Sequence, residues 1–339
     1  MTLSGEAYDV VIVGAGPAGC VLARRLTEDP DRTVLLLEAG PDYGANQAAW
    51  PAELRDPTTI WPESHPWGDV HAGRPTDRPL PLPRARVIGG STTINACFWP
   101  RGSATDYDGW AAAGNPGWSF TDLLPYFKRC EADPLGGPLH GIDGPVPVFR
   151  ATEADLTPID RAIVAAAETL GFPWIADANG DPGQHPGVGP MPKNVAGGVR
   201  MNAAFTYLDP IRTRSNLTLI PDVLIDRVLT ADGRAVGVRT VAGSVVHGRE
   251  IVLCAGAFGS PAILLRSGIG PAATLRELGI DVVADLPGVG ECLLDHPMLN
   301  SFLTFVVKPE YAPATKSFNP VFIKARSGQA STEIDLHVY

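Results

Sequence analysis

Six residues near the start, Gly14-Ala15-Gly16-Pro17-Ala18-Gly19, constrain this 339-residue chain more than any other feature. An apolar run from Tyr8 to Val13 leads into them. From Pro17 onward Ala18, Val21, Leu22 and Leu26 recur at helical spacing. Thr33 to Leu37 is a second apolar run, closed by Glu38. The pattern predicts a βαβ unit of about 30 residues. Its glycine turn has three separate tasks: Gly14 permits the tight turn, Gly16 lets bare backbone approach a pyrophosphate, and Gly19 lets helix and strand pack closely. A helix starting at Pro17 presents unpaired N–H groups and roughly half a positive charge to phosphates. Glu38 follows at the distance where a carboxylate accepts from a ribose hydroxyl. It would also repel a 2′-phosphate, which argues against NADP. Gly14, Ala15, Gly16, Pro17, Gly19, Glu38 and the adjoining Ala39 are therefore candidate dinucleotide-binding residues. The motif alone does not separate FAD from NAD.

Composition narrows the partners. With 27 basic and 37 acidic side chains the formal charge is −10, which leaves little for a phosphate backbone, so nucleic-acid binding is not expected. The longest uncharged apolar stretch, Ile251 to Leu265, falls short of the roughly 20 residues of a membrane span. It is also broken by Gly256, Gly259 and Pro261. Residues 1–9 show no basic start and no apolar core of a signal peptide. Five cysteines without a CxxC pair fit a reduced, cytoplasmic setting better than a disulfide framework. The seven histidines show no HxxxH spacing, so no metal site is expected.

Further along, residues 40–84 read as a long excursion over the surface or over a ligand. Thr157, Pro158 and Gly171 bracket a helix through cap, first-turn proline and glycine stop. Leu217 to Leu229 and Ala235 to Val241 flank Asp232-Gly233, a hairpin signal. Arg249 to Cys254 reads as a buried strand. Ser260, Pro261 and Gly268 bracket a short helix by the same cap logic.

Residues 85–108 read ARVIGGSTTINACFWPRGSATDYD. The element Ala85-Arg86-x-Ile88-Gly89-Gly90-Ser91-Thr92-x-Ile94-Asn95, followed by Trp99, Gly102 and Asp108, resembles the first signature of the glucose–methanol–choline (GMC) oxidoreductases. Those are FAD-dependent enzymes that oxidise alcohols. Gly256-Ala257-x-x-Ser260-Pro261-x-Ile263-Leu264-x-x-Ser267-Gly268-Ile269-Gly270 is similar to that family's second signature. The resemblance implies an α/β fold: a Rossmann-like FAD-binding domain interleaved with an α+β substrate domain built on an antiparallel sheet. The expected division is 1–150 and 213–297 for the FAD-binding domain, with 151–212 and 298–339 for the substrate domain. It further implies flavin contact by Gly89, Gly90, Ser91, Asn95 and Ala96, and a backbone contact to adenine by Val223. Where some members carry a histidine that links FAD covalently, this chain has Ile94, so non-covalent FAD is expected.

The resemblance implies dehydrogenation of an alcohol CH–OH group with hydride transfer to flavin N5. It assigns the catalytic histidine to a segment beyond Tyr339. No catalytic residue is therefore named here, and the chain alone is expected to be inactive, completed by a missing C-terminal segment or a partner chain. Thr332 to Tyr339 alternates as a strand of the substrate sheet. Asp295-His296-Pro297 resembles a stretch whose histidine is not the base, so His296 is read as structural. His65, His71, His140, His185, His247 and His337 carry no motif context and are read as surface or core residues. Trp61, Trp67, Phe98 and Trp99 are candidates for the site entrance, with packing as the more common role. Two other readings stay open: a hydroxynitrile lyase that keeps FAD as structure, and a non-catalytic FAD-binding remnant.

Overall fold

The structure, a computed structural model, describes residues 7–68, 82–183, 185–295, 320–328 and 334–338. The chain forms two compact units. One comprises Met1–Leu54, Trp61–Ile94 and Asn202–Ser301; the other comprises Arg55–Ile60, Asn95–Met201 and Phe302–Tyr339.

The first unit is built on a six-stranded sheet. Its strands are β1 (Tyr8–Val13), β2 (Val34–Leu37), β3 (Leu217–Ile220), β4 (Ile225–Ala231), β5 (Arg234–Thr240) and β6 (Val245–Leu253). The spatial order is β3-β2-β1-β6-β5-β4. Strands β3, β2, β1 and β6 run parallel, and β6, β5 and β4 form an antiparallel meander. All four residues of β2 are buried, as expected of a parallel strand covered on both faces. Val11, Val13, Leu35, Leu37, Ile225, Val228, Val238, Val246 and Ile263 form one apolar cluster. Full burial of such side chains is worth roughly 1.5–3 kcal/mol each.

Helix α1 (Pro17–Leu26) follows β1 with Pro17 at its start and Arg24 and Arg25 in its last turn, where cations complement the helix dipole. Its buried face is Gly19, Cys20 and Ala23. Arg24 Nη1 donates to the Thr206 carbonyl at 2.9 Å. Helix α2 (Gly256–Arg266) sends Ile263 into the core.

Two local expectations are corrected. The single run 217–229 is two strands at opposite edges of the sheet. Pro221 ends β3, and Asp222 turns the chain at φ 58°, so β3 pairs with β2 and β4 pairs with β5. The second helix starts a turn before the expected cap: Ser260 lies inside α2, its Oγ accepting the Ala255 N–H at 3.1 Å.

The second unit carries a three-stranded antiparallel sheet in which Val321–Ala325 pairs with Gly187–Pro190 on one side and Leu336–Val338 on the other. The alternation read at 332–339 thus corresponds to a strand over Leu336–Val338. Helix Pro158–Thr169 begins with the predicted cap: Thr157 and Asp160 form a reciprocal capping box. Two small apolar clusters, Ala178–Met191–Phe322 and Ala151–Leu156–Val321, fill this unit.

The first exchange between the compact units falls at 94/95. The reason is pairing: Phe98 and Phe149 both bridge to Lys193, and the Arg101 N–H donates to Asn179 Oδ1 at 2.8 Å. The return falls at 201/202, because residues 204–214 bind α1. Arg214 Nη1, for example, donates to the Arg24 carbonyl at 2.8 Å. Residues 55–60 join the second unit through Arg200, whose guanidinium donates to the carbonyls of Asp56 and Thr59.

Candidate functional site

The candidate site of the first unit lies at the carboxyl ends of β1 and β2, the general location for ligands in open parallel sheets. Three glycine contacts build it. A Cβ on Gly14, whose φ is +99°, would stand 2.5 Å from the Cys254 carbonyl oxygen, and one on Gly19 would stand 1.9 Å from the Gly14 oxygen. Both positions are therefore closed to any side chain. A Cβ on Gly90 would meet Gly16 Cα at 2.8 Å, so the second glycine pair packs directly on the first. The two motifs, over seventy residues apart in sequence, are also joined by the Gly89 N–H donating to the Ala15 carbonyl at 2.8 Å. Gly16 differs from its neighbours: nothing lies within 4 Å of its Cβ position. It caps α1 without a side-chain hydrogen bond, and Pro17 and Ala18 are exposed. The helix N-terminus is thus presented by bare backbone.

Glu38 is buried at 5 % exposure. Oε2 accepts the Ala15 N–H at 2.8 Å and Oε1 accepts the Gly40 N–H at 2.9 Å. Burial raises its carboxyl above the ordinary glutamate value, while the Gly40 and Ala15 N–H groups and the Arg86 guanidinium pull the other way. Each carboxylate oxygen retains a second lone-pair site for a further donor. Arg86 Nε donates to the Ala39 carbonyl at 2.8 Å, fixing the start of the Gly89-Gly90 turn over the end of β2. The Val223 N–H donates to the Glu38 carbonyl at 2.8 Å, which leaves the Val223 carbonyl as its remaining backbone group. Ser91 is exposed in the single 3₁₀ turn Gly90–Thr93. The structure therefore gathers Gly14, Ala15, Gly16, Pro17, Gly19, Glu38, Ala39, Gly89, Gly90, Ser91 and Val223 within one unit. Asn95 and Ala96 open the second unit instead, with Asn95 Oδ1 accepting the Cys97 N–H at 3.1 Å.

A family model described as GMC oxidoreductase matches residues 8–298. The chain belongs to the GMC oxidoreductase family. Oxygen-dependent choline dehydrogenase of Paraburkholderia phytofirmans is 44% identical over 305 residues, which are 87% of this chain and 54% of that protein. The Pseudomonas aeruginosa protein of the same name is 42% identical over 336 residues, or 95% and 59%. Among solved structures, pyridoxine 4-oxidase from Mesorbium loti aligns with a TM-score of 0.74 at 36% identity, covering 83% of this chain and 55% of that one. An FAD-dependent oxidoreductase from Chaetomium thermophilum aligns at 0.75 and 34%, covering 83% and 51%. The chain spans a little over half the length of these relatives. GMC relatives and structural neighbours are FAD-dependent. The bare backbone at Gly16, the Gly90 contact beside it and the buried Glu38 carboxylate fit such a group.

The GMC second signature supports the first physically. It leaves β6 at Cys254, where the Gly14 turn rests. Near its end stands Ser267, whose Oγ accepts the Val228 N–H at 2.9 Å and donates to the Ile263 carbonyl at 2.6 Å. Ile94 is buried at 4 % exposure. His71 and His296 lie outside the described residues. His65 Nε2 meets the Tyr43 hydroxyl at 2.6 Å, and His185 is exposed beside Asp181. Of the four tryptophan and phenylalanine candidates, Trp67 donates to the Ala85 carbonyl at 3.2 Å, Phe98 lies under Lys193 Nζ at 5.6 Å, and Trp99 donates to Glu131 Oε2 at 3.1 Å. Burial pushes the Lys193 ammonium down to about 8, against the opposing fields of Cys97 and Asp160.

Sequence reasoning missed one cluster in the second unit: Arg101, Glu131, Asp133, His140, Arg150 and Asp177. Glu131, Asp133 and His140 bring one potential ligand atom each within 4.8 Å of one another, although no metal spacing is visible in the sequence. Each of the two carboxylates already faces a guanidinium, Arg101 for Glu131 and Arg150 for Asp133. The available sequence signal was His140-Gly141: a Cβ on Gly141 would stand 1.7 Å from the Lys128 oxygen, so this glycine lets the loop carrying His140 fold back onto the end of helix Phe120–Cys130.

Among the described residues no helix is long and apolar enough to cross a membrane.

Proposed function

We propose that this chain holds FAD non-covalently and forms the cofactor-binding portion of an oxidoreductase acting on the CH–OH group of a small alcohol. The observation that carries the reading is the Gly16 turn, open to a ligand at a helix N-terminus and backed by Gly90 and Glu38. In this reading the N-terminal backbone of α1 binds the pyrophosphate and Glu38 accepts from the adenosine ribose. Gly89, Gly90 and Ser91 line the path toward the flavin, and the Val223 carbonyl faces adenine. The first unit is the FAD-binding domain and the second the beginning of the substrate domain. Bound FAD would supply the hydride acceptor. The chain's own part is to bind and orient that group. Relatives named for choline and pyridoxine, both alcohols, support the substrate class.

Titration of the chain with FAD, followed by quenching of flavin fluorescence, tests the core of the reading. Saturation at one equivalent is expected, and absence of binding would sink it. On the protein from its natural source, anaerobic choline should bleach the flavin band. A flavin that stays oxidised with choline and with aromatic alcohols would favour the lyase reading. Denaturation is expected to release all flavin, leaving the polypeptide mass without an adduct; a flavin-sized increment would refute non-covalent binding.

A further inference from the structure

Residues 39–42, which follow Glu38, are gripped at every position. The Ala39 carbonyl takes Arg86 Nε. The Gly40 carbonyl accepts the Asp222 N–H at 3.0 Å, and the Pro41 carbonyl accepts the Ile88 N–H at 3.1 Å. The Asp42 carboxylate is held by Arg212: Nη1 donates to Oδ2 at 2.6 Å and Nη2 to Oδ1 at 2.9 Å. This strip therefore ties the Asp222 turn and the Gly89-Gly90 turn to the end of β2. A Cβ on Gly40 would stand 2.1 Å from the Arg86 oxygen, so backbone packs on backbone there. The Gly40 N–H reaches Glu38 Oε1, and the Val223 N–H reaches the Glu38 carbonyl.

Arg212 anchors the strip from outside these turns. It follows the short turn Asp209–Ile211, and its Nε donates to Asp209 Oδ1 at 2.6 Å. Arg212, Asp42 and Asp209 are largely buried, at 16 %, 15 % and 13 % side-chain exposure. Two parallel N–H···O bonds between guanidinium and carboxylate fix orientation as well as distance. One guanidinium thus stands between two carboxylates. Burial and the Asp42 charge raise Asp209 above its ordinary value, against the pull of Arg212. Without the guanidinium, Asp42 and Asp209 repel each other, and buried charge left without a partner is costly. Asp209 belongs to a segment packed on α1, whereas Asp42 sits in a loop, so the strip is the part that gives way.

We infer that Arg212 is a positioning residue for the adenosine half of the bound dinucleotide, acting through Asp42 on the strip that places Glu38 and Val223. This rests on the FAD reading above. The part of Arg212 is indirect: it sets the spacing between the group that accepts from the ribose and the group that faces adenine.

The test is titration of the full chain with FAD, by flavin fluorescence, and with ADP, by calorimetry, in wild type, Arg212→Met, Asp42→Asn and the double variant. At a temperature where circular dichroism shows it folded, Arg212→Met should bind FAD at least tenfold more weakly, and ADP by the same factor. ADP carries the adenosine half without the flavin, so a matched loss locates the defect there. A merely structural role would lower the melting temperature and leave both affinities in place. Because the two residues act through one contact, the double variant should bind no more weakly than the weaker single variant. A folded Arg212→Met with wild-type affinity would overturn the inference and leave the FAD reading intact. So would a loss of FAD affinity without loss of ADP affinity, or losses that multiply in the double variant. Wild-type chain that binds neither ligand would overturn both readings. Should Arg212→Met fail to fold, Asp42→Asn, which keeps a side-chain oxygen for the Gly44 N–H, decides by the same titrations: matched losses uphold the inference and wild-type affinity overturns it.

Discussion

Gly16 separates two demands that usually coincide. Its backbone is extended (φ −72°, ψ −169°) and its Cβ position is empty, so a side chain there costs the fold nothing sterically. Gly14 and Gly19 lack that freedom, since a Cβ on either would strike a carbonyl. The difference yields a clean prediction. Gly16→Asp puts a favoured capping residue and a negative charge at the start of α1, which should leave stability unchanged or raise it by a few tenths of a kcal/mol. In the proposed reading the same carboxylate would occupy the phosphate position and repel it. FAD affinity should fall at least tenfold, about 1.4 kcal/mol, read by flavin fluorescence alongside thermal melting. Retained affinity would mean that the ligand does not lie at this helix end. Glu38 was legible as a candidate site residue. That its two oxygens also hold the Ala15 and Gly40 N–H groups was not, because those contacts exist only once β1 and β2 are aligned.

At the level of elements, turn and cap chemistry read true where the determinants are local. Thr157-Pro158 starts a helix because Thr157 Oγ1 and the Asp160 carboxylate satisfy each other's neighbouring backbone N–H groups. Thr157→Ala should destabilise the second unit by about 1 kcal/mol, measured as a lower urea midpoint with an unchanged slope. No change would mean that the Asp160 carboxylate supports the helix start by itself. The run 217–229 read false as one strand. Apolar and β-branched residues flank Pro221-Asp222 on both sides, but a partner edge is available only beside β2 for the first part and beside β5 for the second. The turn at Pro221–Asp222 delivers each part to its own edge and brings the Val223 N–H to Glu38.

For the molecule as a whole, buried ion pairing sets the expected response to acid. Burial disfavours ionised Asp177, but the His140 hydrogen bond and the Arg150 guanidinium outweigh it and hold the carboxyl below its ordinary value of 3.8. A depressed folded value means stability that is present above the unfolded value and lost as pH falls through the folded one. Asp177→Asn should therefore weaken the protein at neutral pH and flatten its loss of stability in the acid range, measured by urea unfolding across both. A parallel offset at all pH values would show that the charge of Asp177 contributes nothing. The same reasoning makes the second unit dependent on charges far apart in the chain, from Arg101 to Lys324.

The sequence by itself determined the βαβ unit, its glycine turn, the Glu38 position and the membership that the two signatures imply. Each rests on spacing within a short stretch: helical periodicity, a missing Cβ, a cap three residues from its partner. Only the tertiary structure decided that Gly90 rests on Gly16, that the first exchange between units comes at 94/95, and that His140 joins three carboxylates. Those contacts join residues tens of positions apart. Their physical cause, close packing of backbone on backbone and neutralisation of buried charge, acts through space and leaves no period in the sequence.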